Sequence, residues 1–239
     1  MAKRMKMKNS QQPTIPQTRP QVEVKPVTLT QRRYLTEIRK NDITFGIGPA
    51  GTGKTFLAAK MAMLYLTEGW VDKIVVCRPA VNAGGEDIGF LPGSITQKMD
   101  PYIKPITDTF MTYWSKKTII DMIGNGTIEI SPLAYMRGRT FMDTFIVSDE
   151  MQNSTSDQLL MLLTRLGEGS KMVVTGDPVQ TDLKGKSCFD TAYQLLAGID
   201  SLGFVKFGKS DVVRHKTVKQ ILDAWINVGV NPTNTVYAM

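Results

Sequence analysis

The chain has 239 residues, 42% hydrophobic and 21% charged, with a formal net charge of +7 and two cysteines. That length allows one large α/β domain or two small ones, and no apolar run approaches the roughly 20 residues that a membrane-spanning helix needs. The isolated Cys77 and Cys188 argue against a disulfide framework or a cysteine-rich zinc site, and the basic N-terminus lacks the apolar stretch of a secretory signal, so a soluble, cytoplasmic protein is expected.

Residues 1–26 carry Lys3, Arg4, Lys6, Lys8, Arg19 and Lys25 against Glu23 alone, among Pro, Gln and Met without apolar period. They read as a disordered basic tail, and the same charge suits an arm that touches nucleic-acid phosphates. One folded domain is expected over 27–230, followed by a short C-terminal tail over 231–239. Ile43–Ile47 is an apolar run that ends in a Gly-rich turn, and Phe56–Leu66 reads as an apolar helix that stops near Gly69. Further strands are predicted over Lys73–Cys77, Thr127–Ile130, Thr144–Ser148, Lys171–Thr175 and Phe204–Phe207, all short and mostly β-branched or aromatic. Between them, Lys98–Trp114, Ser156–Leu166, Ser187–Ala197 and His215–Ile226 space apolar residues as amphipathic helices do, with Ser154 or Thr155 as the cap of the second. Val81–Gly93, rich in Gly and acids, reads as a long loop. Strands alternating with helices predict an α/β fold: a mostly parallel sheet with helices on both faces, a three-layer sandwich.

Gly48-Pro49-Ala50-Gly51-Thr52-Gly53-Lys54-Thr55 fits the pattern G-x-x-x-x-G-K-[ST] and lies between a strand and a helix, which is the setting a phosphate-binding loop requires. Glycines let backbone N–H groups turn around an anion, and the following helix adds its positive end. Lys54 then reaches the β and γ phosphates, and Thr55 offers a hydroxyl to Mg²⁺. ATP and Mg²⁺ are therefore the expected ligands.

Phe145–Ser148 leads into Asp149 and Glu150. Acids at the carboxyl end of a parallel strand beside that loop suit a metal ligand, assigned to Asp149, and a general base for water, assigned to Glu150. Val173–Thr175 leads into Gly176-Asp177-Pro178-Val179-Gln180, where two readings stand: a plain turn, or a strand end in which Gln180 senses the γ phosphate. Arg214 opens the last predicted helix and can neutralise charge on the transferring phosphoryl group. His215, the only histidine, reads as a capping or packing residue. Arg78, Arg137 and Arg139 are internal candidates for contacts to a nucleic-acid strand, against the simpler reading of a solvated face.

GPAGTGKT at 48–55, RPA at 78–80, GFLPG at 89–93, PLAYMRGRT at 132–140, SDEMQN at 148–153, TGDPVQTD at 175–182 and DVVRH at 211–215 together resemble PhoH-like proteins, over about residues 28–228. The resemblance implies a RecA-like P-loop ATPase with a core like that of superfamily-one helicases, a link to RNA or single-stranded nucleic acid, and a homo-oligomer, a ring of six. It also implies that Gln31 reads the adenine edge, with Tyr34 packed nearby, although the residues alone suggest a surface helix there. Ser148 and Met151 depart from the family pattern, which usually has an aliphatic residue and an alanine. Two other functions remain open at this level. A P-loop kinase needs an acceptor pocket and lid that the motifs do not supply, and a nucleotide-gated binding module would hydrolyse slowly. A GTPase would need an Asn-Lys-x-Asp base reader, which the sequence lacks.

Overall fold

A computed structural model describes residues 22–79, 104–181 and 187–214, with the helical positions 217, 218, 220, 221 and 224. Six strands, β1 (Ile43–Ile47), β2 (Lys73–Arg78), β3 (Ile128–Pro132), β4 (Thr144–Ser148), β5 (Lys171–Gly176) and β6 (Leu202–Lys206), form one sheet in the order β3-β2-β4-β5-β1-β6. Every pairing in it is parallel. Strands buried on both faces need apolar side chains at successive positions, which is why the sequence shows continuous runs there. The pleat sorts those residues: Ile74, Val76, Phe145, Val147 and Val173 point into one core, and Val75, Cys77, Ile146, Met172 and Val174 into the other.

Helices α1 (Leu29–Lys40), α2 (Lys54–Thr67) and α3 (Lys116–Gly124), with the helical residues 104–110, cover the first face. Helices α4 (Ser156–Leu163) and α5 (Cys188–Leu196) cover the second. The three-layer α/β architecture expected from the sequence is therefore the one observed. Thr155 caps α4 in a reciprocal capping box with Gln158, and Ser187 caps α5.

Two helices differ from expectation. The charged residues of α1 make it look solvent-facing, yet Gln31, Tyr34, Leu35 and Ile38 share one buried face, and Thr28 caps it by accepting the Gln31 N–H at 3.1 Å. Within the predicted helix Lys98–Trp114, residues 104–110 are helical and the chain then turns. It restarts as α3 from Ser115, whose hydroxyl accepts the Thr118 N–H at 3.1 Å. The expected loop Val81–Gly93 lies outside the described residues, as do the ends of the predicted helix His215–Ile226. Residues 22–26, grouped with the tail by composition, lie against the domain, with Val22 buried in its core. There the Tyr113 hydroxyl donates to the Glu23 carbonyl at 2.7 Å.

Glycine in two strands marks close approach by a neighbour. A Cβ at Gly46 would lie 2.7 Å from the Tyr34 hydroxyl, and one at Gly203 would lie 2.5 Å from Asn41 Nδ2. These contacts seat α1 against β1 and β6, directly behind the turn that follows β1.

At the far edge, β3 is clamped to β2 by charge. Glu129 accepts from Lys73 of β2 and from both terminal nitrogens of Arg139, the second at 2.9 Å. The Arg139 hydrogen bonds, with help from Lys73, pull the Glu129 carboxyl down to about 2. A carboxyl depressed by folding contributes stability above its unfolded value, near 4.3, and loses that contribution as pH falls toward 2. Glu129→Gln should cost about 1–2 kcal/mol at pH 7, allowing for partial solvent screening, and should flatten the fall in stability between about pH 4.5 and pH 2. Urea unfolding across that range checks it; parallel curves for variant and wild type would be the contrary result.

Candidate active site

The turn after β1 is built for an anion. Gly51 and Gly53 adopt left-handed backbone, φ 78° and 84°, and Gly53 occupies the N-cap of α2 without any side-chain cap. The first N–H groups of a fourteen-residue helix are thus left to a ligand rather than to a serine or aspartate. Thr52 steadies the turn by donating its hydroxyl to the Pro49 carbonyl at 2.8 Å. Lys54 is buried, and its Nζ donates to the carbonyls of Gly48 at 2.6 Å and Pro49 at 2.8 Å. Burial lowers the Lys54 pKa, opposed by the carboxylates of Asp177, Glu150 and Asp149.

Asp149 sits at the end of β4, 4% exposed, and one of its oxygens takes two hydroxyls: Thr55 Oγ1 at 2.6 Å and Thr175 Oγ1 at 2.6 Å. This joins the start of α2, the end of β4 and β5 at one carboxylate. A hydroxyl and a carboxylate in contact beside a phosphate-binding loop form a hard oxygen donor set. Such a set fits Mg²⁺, which usually takes one or two protein oxygens and completes its shell with water and substrate phosphate. Among the described residues there is no cluster of three or more His, Cys, Asp or Glu side chains able to hold a metal alone.

Glu150 leaves the sheet in left-handed backbone, φ 54° and ψ 36°, a costly conformation for a residue with a side chain and one that concentrates at functional sites. Its Oε2 accepts from Gln152 Nε2 at 2.5 Å, and its Oε1 lies 3.7 Å from Arg78 Nη2. Burial raises the Glu150 pKa, the Asp149 charge adds to the rise, and Arg78, Gln152 and Lys54 oppose it.

Gln152 is a residue of the site that the motif reading did not single out. Its Oε1 accepts the Asp177 N–H at 3.0 Å, and its Nε2 also lies 3.3 Å from the Gln180 carbonyl, so one buried amide links Glu150 to the end of β5. Gly176 makes room for it, since a Cβ there would meet Gln152 Oε1 and the Phe189 ring at 2.5 Å. The sequence signal was a polar residue two places after Glu150, in a segment that is otherwise buried.

A cleft of about 300 Å³ opens over these groups, lined by Ala50, Gly51, Gly53, Lys54 and Thr55 on one side and by Asp149, Glu150, Asp177 and Gln180 on the other. Phe56, Pro105 and Thr109 also line it. Arg214 belongs to the same chain's site: the Val213 N–H donates to the Gly51 carbonyl at 2.8 Å, and Arg214 Nε would lie 2.6 Å from a Cβ at Gly51. Gln31 also reaches the loop, donating to the Thr52 carbonyl at 2.9 Å while accepting the Val27 N–H at 2.7 Å. Of the three candidate strand-contacting arginines, Arg137 is exposed, Arg139 is engaged with Glu129, and Arg78 faces Glu150. His215 lies outside the described residues.

The family model for PhoH-like protein matches residues 23–226. The chain belongs to the PhoH-like family. It is 48% identical over 204 residues to a PhoH-like protein of Synechocystis sp., covering 84% of this chain and 62% of that one. It is 40% identical over 205 residues to Protein PhoH of Escherichia coli, covering 82% and 56% respectively. This PhoH-like chain thus spans about three-fifths of the length of the curated relatives it matches. Among solved structures, the large terminase of a thermophilic bacteriophage in complex with ADP superposes with a TM-score of 0.53 at 14% identity, over 83% of this chain and 50% of that one. That likeness bears on the fold, which is the RecA-like P-loop arrangement expected from the motifs. No described helix is long and apolar enough to cross a membrane.

Ser148 is fully buried and its hydroxyl has no hydrogen-bond partner. Removing an unpaired buried hydroxyl relieves its desolvation cost, so Ser148→Ala should be neutral or stabilising by about 1 kcal/mol in urea unfolding. A loss of that size would show instead that the hydroxyl is bonded in solution.

Proposed function

We propose that this PhoH-like chain hydrolyses ATP with Mg²⁺ and couples turnover to RNA or single-stranded nucleic acid as a homo-oligomer, a ring of six. The observation that carries the hydrolytic reading is the meeting of Thr55 and Thr175 on Asp149, with Glu150 beside it in the cleft over Lys54. The polyanion link is supported by the resemblance to PhoH-like proteins and by the basic residues ahead of the domain. The ring is supported by the resemblance to PhoH-like proteins.

In this reading the N–H groups of the loop and of α2 bind the phosphates, and Lys54 exchanges its carbonyl contacts for the β and γ oxygens. Thr55 and Asp149 would hold Mg²⁺, which when bound neutralises charge on the phosphates. Glu150 accepts the proton of the attacking water, and its raised pKa brings it closer to the range in which a base works well at neutral pH. Gln180, on the cleft wall, senses the γ phosphate, and Arg214 acts on the phosphates from within the same subunit. Gln31, whose amide bridges Val27 and Thr52, is assigned to the adenine edge by the resemblance.

Incubation with ATP and Mg²⁺ and no acceptor should release free phosphate, which a small-molecule kinase would not do. Lys54→Ala and Glu150→Gln should each lower turnover by about 100-fold or more, with Glu150→Gln still binding ATP. Wild-type turnover in Glu150→Gln would remove the assignment of the base. Single-stranded RNA should raise the rate above that with duplex or no polymer; a rate indifferent to polymer would favour a slow nucleotide-gated module.

A further inference from the structure

We infer that Arg78 is a positioning residue for hydrolysis, whose guanidinium holds the Glu150 carboxylate from the neighbouring strand and keeps it facing the phosphate cleft. This rests on the reading of Glu150 as the base. Strand β2 pairs with β4 so that Cys77 lies opposite Ser148, and the Asp149 N–H donates to the Cys77 carbonyl at 2.9 Å. The residue after Cys77 is therefore placed alongside the turn at Asp149 and Glu150. Arg78 is only 22% exposed, and its Nη2 stands 3.7 Å from Glu150 Oε1, too long for a hydrogen bond and within reach of a charge pair.

Glu150 needs external support because its own backbone provides little. It has already left the sheet, its left-handed conformation is unfavourable, and the next residues, Met151–Asn153, form only a short 3-10 turn. Gln152 holds Oε2, which fixes one oxygen and leaves rotation of the carboxyl to be limited at the other. Arg78 supplies that second restraint.

The test is a comparison of kcat and KM for ATP hydrolysis in the full chain. Arg78→Gln should lower kcat by about tenfold, with KM for ATP little changed. Arg78→Lys, which keeps the charge, should recover most of kcat. Thermal unfolding confirms that each variant is folded, and Arg78→Met replaces Arg78→Gln in the comparison should the latter fail to fold. A wild-type kcat in the neutral variant overturns the role of Arg78, as does a Lys variant as slow as the Gln variant. Should Glu150→Gln turn over like wild type, the base itself is misassigned, and that failure is recognised without reference to Arg78.

Discussion

One oxygen of Asp149 receives hydroxyls from Thr55 and from Thr175, and the site depends on those two contacts. They come from different elements, and β5 stands between β4 and β1 in the sheet. For the three to meet, the strands must end level with one another. Their register ensures this, since Ser148 lies opposite Val174 and Ile47 lies opposite Gly176. A shift of one residue in either pairing would turn Thr175 to the opposite face and carry Asp149 away from the loop. The continuous apolar pattern of the strands, buried on both sides, thus sets the position of a carboxylate as well as the stability of the core.

The same geometry explains why strained and close-packed residues gather at this end of the sheet. Gly51 and Gly53 turn the loop, Glu150 bends out of β4 in left-handed backbone, and Gly176 yields space to an amide from the neighbouring turn. None of these would be favourable in isolation. Each is held by the rigid strand behind it, and the strands have little freedom because both faces of the sheet are covered. Stability invested in the two cores is spent locally where polar groups must converge.

The sequence was most informative where chemistry is compressed into consecutive residues. Gly48–Thr55 announces itself because eight adjacent positions carry all the requirements of a phosphate cradle, and Asp149 and Glu150 stand directly after a legible strand. Gln152 and Arg78 were harder to see in those roles, because each acts through a partner set by strand order. Gln152 works by meeting Asp177, and Arg78 by lying on the strand beside Glu150. Helix α1 was obscured for a different reason: Arg32, Arg33 and Glu37 dilute a buried face of four residues, of which Gln31 is itself polar. Arg139 shows the converse, as an arginine in a family motif suggests a ligand contact whereas its guanidinium is engaged with Glu129 on the sheet's outer edge.

The two hydrogen bonds of the Gln31 amide have a mechanical meaning. One end grips the Val27 N–H and the other the Thr52 carbonyl, so a single planar group bridges the chain entering α1 and the loop leaving β1. An amide is stiff, and both of its contacts are to main chain. Displacement of Thr52 therefore either breaks one of these bonds or drags the start of α1 with it, which makes the segment ahead of that helix a geometric follower of the loop.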